Sequence, residues 1–260
     1  MLILCRKGKI VNFQFGAELV TVNTARAADL WQEIRSRLKD GRGFALATLN
    51  LDHLVKLSSS SPFRKAYIAQ DLVVADGNPI VWLSRLAGKP VELMPGSELI
   101  LPMAKIAAEE GVKVAFVGST EDSLQKAADA LVQMVPHLIV SNLIAPAFGF
   151  DPDGEEAASI YDRLNKEGAG LCFIALGAPK QELFAARGRE LAPNVGFASI
   201  GAGLDFLAGE QKRAPKWVRA IAMEWAWRML LSPTRLFVRY MRCFGVLPKH
   251  TINAIRQRER

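Results

Sequence analysis

Asp76 closes a short apolar run, Leu72-Val73-Val74-Ala75, and precedes Gly77-Asn78-Pro79. Such a run ending in Asp-Gly-Asn-Pro reads as a buried strand stopped by a turn. In an open α/β sheet, a carboxylate at a strand end lies where reacting groups are usually held. It could act there as a general base that draws a proton from a hydroxyl. The alternative is that Asp76 merely caps the turn before Pro79. Other strand ends carry groups suited to a substrate. Thr48 and Asn50 end the run that starts at Phe44, and Asn78 shares the Asp76 turn. Gly118 follows Val112–Val117, Gly177 follows Leu171–Leu176, and Gly201-Ala202-Gly203 with Asp205 follows Val195–Ile200. A glycine turn that opens a helix exposes backbone N–H groups to an anion, although a single glycine is a weak signal. After Gly177, Lys180 could meet a phosphate and Gln181 a base or a sugar hydroxyl. An ordinary capped turn accounts for the same residues. Asp151-Pro152-Asp153-Gly154 has the spacing of a metal-binding Asp pair, but it is favourable turn chemistry before a helix, and that reading is preferred.

These groups need a scaffold. The spacing of Leu30, Ile34 and Leu38 predicts a helix over about 25–40, with Thr24 as its N-cap. A helical stretch over about 51–69 is expected to break at Pro62. Helices are also expected over 80–87, 98–110 (capped by Ser97), 123–135 and 155–167, the last ending at Gly168. Residues 1–23 alternate as a hairpin or paired edge strands would. Repeated strand–turn–helix units predict an α/β fold with a parallel sheet flanked by helices, whose polar turns share one edge.

The 260 residues are 50% hydrophobic, enough for a full core in one large domain or two small ones. Cys5, Cys172 and Cys243 show no paired spacing, which disfavours disulfides and zinc and suits a reducing compartment. His53, His137 and His250 are scattered and read as surface or packing residues. The short apolar start before Arg6-Lys7 suits neither a signal peptide nor a membrane span, and no later apolar run reaches the length of a transmembrane helix, the longest being interrupted by charge. A cytoplasmic protein is expected, with any membrane contact peripheral.

The net charge of +7 is uneven. Residues 205–260 hold 12 Lys/Arg against 4 Asp/Glu, and the rest of the chain is nearly neutral. Such concentration suits an anionic partner. Pro215 is expected to start one helix, to about Leu231, and Ser232-Pro233 a second, to about Phe244. In the second, Arg235, Arg239 and Arg242 share a face, while Phe237, Met241 and Phe244 share another. Trp217, Trp225 and Trp227 lie beside Arg219 and Arg228 in the first. Amphipathic helices of this kind suit an anionic membrane surface. The alternative packs the apolar side on the core with the arginines in water. Nucleic acid is not expected, because no recognition signature for it is present.

Several blocks resemble the WecG/TagA/CpsF glycosyltransferases, glycosyltransferase family 26. They are Thr48-Leu49-Asn50, Asp76-Gly77, Gly177 to Glu182, Gly201 to Gly209, Arg213-Ala214-Pro215, and a tail through Glu224-Trp225, Arg228, Pro233, Arg235 and Arg239-Tyr240. The resemblance implies a Rossmann-like core over residues 1–210 and a basic helical appendage over 211–260. It implies an inverting hexosyltransferase of bacterial surface or exopolysaccharide synthesis, peripheral on the inner face of the cytoplasmic membrane. The donor would be a UDP-sugar and the acceptor a polyprenyl-diphosphate-linked glycan, with no metal and no other cofactor. It makes Asp76 the general base and puts Thr48 and Gln181 in the substrate site. Arg213, Arg219, Arg228, Arg235, Arg239 and Arg242 become candidates for the lipid diphosphate or the membrane. One departure is Leu93, where related sequences commonly carry Arg. A homo-oligomer is left open.

Two rivals differ in class. A non-catalytic nucleotide-binding module would bind UDP without transferring sugar. A dinucleotide oxidoreductase is disfavoured because no Gly-x-Gly-x-x-Gly opens a helix after an early strand.

Overall fold

The structure, a computed structural model, describes residues 10–210, 214–215, 217–218 and 223–259. An antiparallel hairpin of β1 (Val11–Phe15) and β2 (Glu18–Val22) precedes a parallel six-stranded sheet. The sheet strands are β3 (Phe44–Leu49), β4 (Leu72–Ala75), β5 (Lys113–Gly118), β6 (Val140–Ile144), β7 (Ala169–Ala175) and β8 (Gly196–Ser199). Their order is β4-β3-β8-β7-β5-β6, and every pairing is parallel. Parallel strands covered on both faces must be apolar on both, and β3 and β4 are buried at every position.

Helices cover the two faces. They are α1 (Ala27–Lys39), α2 (Leu51–Ser59), α3 (Ser61–Ile68), α4 (Asn78–Leu86), α5 (Gly96–Glu109), α6 (Glu121–Met134), α7 (Glu155–Glu167), α8 (Lys180–Leu191) and the short α9 (Gly203–Leu207). Successive strand residues point to opposite faces. Phe116 of β5 and Phe173 of β7 therefore pack with Ile34 of α1, Met103 of α5, Leu124 of α6 and Leu204 of α9. Their neighbours Val117 and Ile174 pack on the other face with Tyr161 of α7 and Phe184 of α8. The same alternation in β3 sends Ala47 and Leu49 to a third cluster with α2, α3 and the hairpin.

The chain order opens the sheet at its C-terminal edge. From β5 the chain crosses through α6 to β6, and from β7 it crosses the opposite way through α8 to β8. Helices leaving neighbouring strands toward opposite faces leave a crevice above those strands. The helices after β3 and β8, α2 and α9, also belong to different faces.

Several boundaries differ from the sequence expectation, each for a tertiary reason. Thr24 does not cap α1, because its N–H bonds Val73 O and keeps the chain alongside β4. The helix begins at Ala27, whose N–H is taken by the carboxylate of Glu92, 65 residues away. The helix over 51–69 divides as expected at Pro62, with Ser60 capping α3 through Phe63 N–H. The segment after Gly96 starts two residues early, so Ser97 lies inside α5 and does not cap it.

The C-terminal helices depart most. Glu224–Leu231 forms α10, and Pro233–Arg258 forms α11, which runs well past Phe244 and through Pro248. Propensity favours a stop there, since proline removes a helical hydrogen bond. Packing overrides it. His250 lies edge-on to Phe13 and Phe15, each with ring centroids 5.7 Å away, and Ala254 is buried in the hairpin's cluster. Gln257 bonds both backbone groups of Asn12, donating to its O at 2.7 Å and accepting from its N–H at 3.1 Å. One side of α11 packs on the body, as the alternative expects, while part of its apolar surface stays outside. Phe237, Val238, Met241 and Phe244 are exposed, whereas Leu236 and Cys243 are buried. Trp225 of α10 packs edge-on between Tyr240 and Phe244.

Candidate active site

The polar strand ends meet along one edge of the sheet. Asp76 N–H donates to Leu49 O at 2.7 Å, which sets the residue after β4 beside the residue after β3. That residue is Asn50. Its Oδ1 caps α2 by accepting from His53 N–H at 3.1 Å, and its Nδ2 faces Asp76 Oδ2 at 3.4 Å. Asp76 is half-buried, so its carboxylate is both oriented and reachable. Gly77 follows with φ 107°, a conformation that side chains disfavour, and lets the chain turn at once into α4, which opens on Asn78.

The row continues through β8. Thr48 is buried and its hydroxyl points at Ser199 O, 3.4 Å away. Gly201, two residues on from Ser199, gives its N–H to Gln181 Oε1 at 3.1 Å. Gln181 Nε2 in turn donates to Glu182 Oε1 at 2.8 Å. Gln181 thus joins the β8 turn to the first turn of α8, and its side chain is used inside the protein rather than standing free in a pocket. Lys180 beside it is half-buried. Over β5, Gly118 has φ 120°, and a Cβ there would lie 2.4 Å from Ala175 O, so only glycine fits. Ser119 donates to Asp205 Oδ1 at 2.7 Å and thereby joins β5 to α9. Asp76, Asn50, Thr48, Gln181, Gly201, Gly177, Gly118 and Asp205 therefore all lie on the C-terminal edge, from β4 to β5.

The Asp151 pair is otherwise employed. Asp151 Oδ1 accepts from Asp153 N–H at 3.0 Å, closing the turn before α7. Among the described residues, no three His, Cys, Asp or Glu side chains are grouped as a metal site would require.

Comparison with known proteins adds to this geometry. A family model described as "Glycosyl transferase WecG/TagA/CpsF family" matches residues 17–260. The chain belongs to the WecG/TagA/CpsF family of glycosyltransferases. A curated relative from Bacillus spizizenii (strain ATCC 23059 / NRRL B-14472 / W23) is 25% identical over 199 residues, 76% of this chain and 75% of that protein. It is an N-acetylglucosaminyldiphosphoundecaprenol N-acetyl-beta-D-mannosaminyltransferase. The protein is accordingly a glycosyltransferase, as the resemblance of its motifs implies.

The basic tail of this glycosyltransferase is only partly described. Arg213 and Arg219 lie outside the described residues, as do the side chains of Arg228 and Arg235. Arg242 is exposed. Arg239 points to the body, where its Nε meets Asp52 Oδ1 of α2 at 3.0 Å. Among the described residues, no helix is long and apolar enough to cross a membrane.

Sequence reasoning missed two parts of this edge, Glu182 and the Asp52–Lys56 pair. Glu182 is fully buried, and burial pushes its carboxyl up to about 7. Among the described residues its Oε2 has no hydrogen-bond partner. Only its place behind Gln181 hinted at a role. His53, by contrast, is the packing residue expected, its Nδ1 2.7 Å from Tyr67 OH, and burial pushes its pKa down to about 3, so the ring is neutral. Asp52 and Lys56, at helical i, i+4 spacing, drew no reading from the sequence, yet they face Arg239 and the Gly177 turn.

Proposed function

We propose that the protein is an inverting, metal-independent glycosyltransferase that moves a sugar from a UDP-sugar to a polyprenyl-diphosphate-linked saccharide. The reading rests first on Asp76, oriented by Asn50 at the C-terminal edge of the sheet. In the reaction, Asp76 takes the proton of an acceptor hydroxyl as its oxygen attacks the anomeric carbon. The bond from that carbon to the UDP oxygen breaks on the opposite side, which inverts the centre. Negative charge then grows on the departing diphosphate.

The start of α8 suits that charge better than the start of α6. Both helices begin at glycine turns, but α6 carries Glu121 and Asp122 in its first turn, where they already occupy the positive end of the helix. The first turn of α8 opens with Lys180, and its one acidic residue, Glu182, is buried with its carboxyl raised to about 7. The Gly177–Gln181 turn is thus the preferred diphosphate site, and Thr48, Asn78, Gly201 and Asp205 line the rest of the substrate edge. Leu93 pairs as an isolated bridge with Ala75, next to Asp76, and its side chain is partly exposed. With no cation at that position, the acceptor's diphosphate is left to the C-terminal arginines.

The relative's acceptor is a lipid-linked N-acetylglucosamine, which supports cell-envelope glycan synthesis and a lipid-linked acceptor for this chain. An outward row of Leu230, Phe237, Val238 and Met241 beside exposed Arg242 suits the anionic inner face of the cytoplasmic membrane. The glycosidic reading is tested by screening UDP-sugars against polyprenyl-diphosphate-linked acceptors without added metal. A product with inverted anomeric configuration is expected, and UDP binding with no transfer to any acceptor would leave a binding module instead. For the membrane, the Phe237→Glu, Met241→Glu double variant is expected to lower co-sedimentation with phosphatidylglycerol vesicles by roughly tenfold or more. Undiminished sedimentation would remove this face from the membrane.

A further inference from the structure

The C-terminal helix is joined to the proposed donor turn through one carboxylate. Asp52 lies in the first turn of α2, two residues after the Asn50 that faces Asp76. Its Oδ1 receives Arg239 of α11 at 3.0 Å, and its Oδ2 receives Lys56 at 2.9 Å, one turn further along α2. Lys56 also donates to Ala178 O at 3.0 Å, in the turn that precedes Lys180. The Asp52 side chain is only 13% exposed. Burial acts against its charge, but Lys56 and Arg239 outweigh burial and hold its carboxyl below the ordinary value. A carboxylate held this way is not an isolated surface ion pair. Removing one cation leaves a mostly buried charge short of a partner, and its remaining contacts must shift.

The chain of contacts runs from the helix proposed above to meet the membrane, through Asp52 and Lys56, to the peptide that opens the proposed diphosphate site. A continuous ionic network between two sites is a physical route for coupling. We propose that Asp52 and Lys56 are positioning residues that transmit the seating of the C-terminal helix to the Gly177–Lys180 turn, so that the donor nucleotide binds best when that helix is docked.

This inference rests on the reading of that turn as the UDP site, and UDP is the probe that tests both. Calorimetric titration of the full chain with UDP is compared for wild type, Arg239→Gln, Lys56→Gln and the double variant. Calorimetry reports stoichiometry apart from Kd, so misfolded protein lowers the first and not the second. Arg239→Gln, which reaches the turn through Asp52 and Lys56, is expected to weaken UDP binding about fivefold or more, and Lys56→Gln at least as much. The double variant is expected to bind no more weakly than Lys56→Gln alone, because the second change cuts a chain already cut. Unchanged UDP affinity in Arg239→Gln would overturn the relay, as would losses that multiply in the double variant. A wild-type protein that does not bind UDP would overturn the donor reading itself.

Discussion

Asp76→Asn is expected to lower the turnover of sugar transfer by about 10²–10⁴-fold, the usual worth of a positioned base. Few other outcomes fit the geometry. The substitution keeps the size of the side chain and an oxygen able to meet Asn50 Nδ2. The turn itself is held by the backbone bond from Asp76 N–H to Leu49 O, which the change does not touch. Folding and UDP affinity should therefore stay close to wild type, and the loss should appear in kcat rather than in the donor KM. If Asp76 only capped the turn before Pro79, the same variant would keep both its stability and its turnover, since Asn caps about as well as Asp. Measuring kcat separates the two roles, with the melting temperature as the check on folding, and a retained kcat removes Asp76 from the chemistry.

The second large effect is a pH dependence of stability that belongs to Glu182. Its carboxyl is raised from 4.5 to about 7 by burial. Between those values the native protein holds a proton that the unfolded chain has released. The stability Glu182 contributes is thus fully present below about 4.5 and is lost as the pH rises through about 7. At about 1.4 kcal/mol for each pH unit, the span amounts to roughly 3 kcal/mol. Glu182→Gln keeps the shape and an acceptor for Gln181 but cannot ionise. The variant should match wild type near pH 5 and melt several degrees higher at pH 8, since about 1 kcal/mol moves the midpoint of a protein of this size by roughly 2–4 °C. A wild-type melting temperature that tracks the variant's across this range would show that Glu182 stays neutral or finds a partner when ionised.

What the sequence disclosed and what it hid follow from the range of the interactions involved. The strands Leu72–Ala75 and Phe44–Leu49 were legible because burial on both faces makes them continuously apolar. The break at Pro62 and the end of α7 at Gly168 were legible because backbone chemistry alone dictates them. The edge that gathers Asp76, Asn50, Thr48 and Gln181 followed from parallel topology, which sends every strand end to one side. Long-range partners were not legible. Nothing near Ala27 announces that Glu92 will cap its helix. The i, i+4 pattern of Arg235 and Arg239 marks a shared face, but which face meets the body depends on Asp52, far away in the chain. The continuation of α11 through Pro248 depends likewise on Phe13 and Phe15.

The fastening of Gln257 to Asn12 bears on how the basic tail can be studied. The last helix is part of the wall around Phe13, Val20 and Val22, with Ala254 packed among them. Cutting the chain near residue 210 would strip that wall and uncover a greasy hairpin along with whatever α11 does at a bilayer. Such a shortened protein could lose activity or gather on vesicles simply because freshly bared side chains are sticky. Single replacements on the outer side of α11 leave the clasp closed, and they interrogate the membrane without unroofing the hairpin.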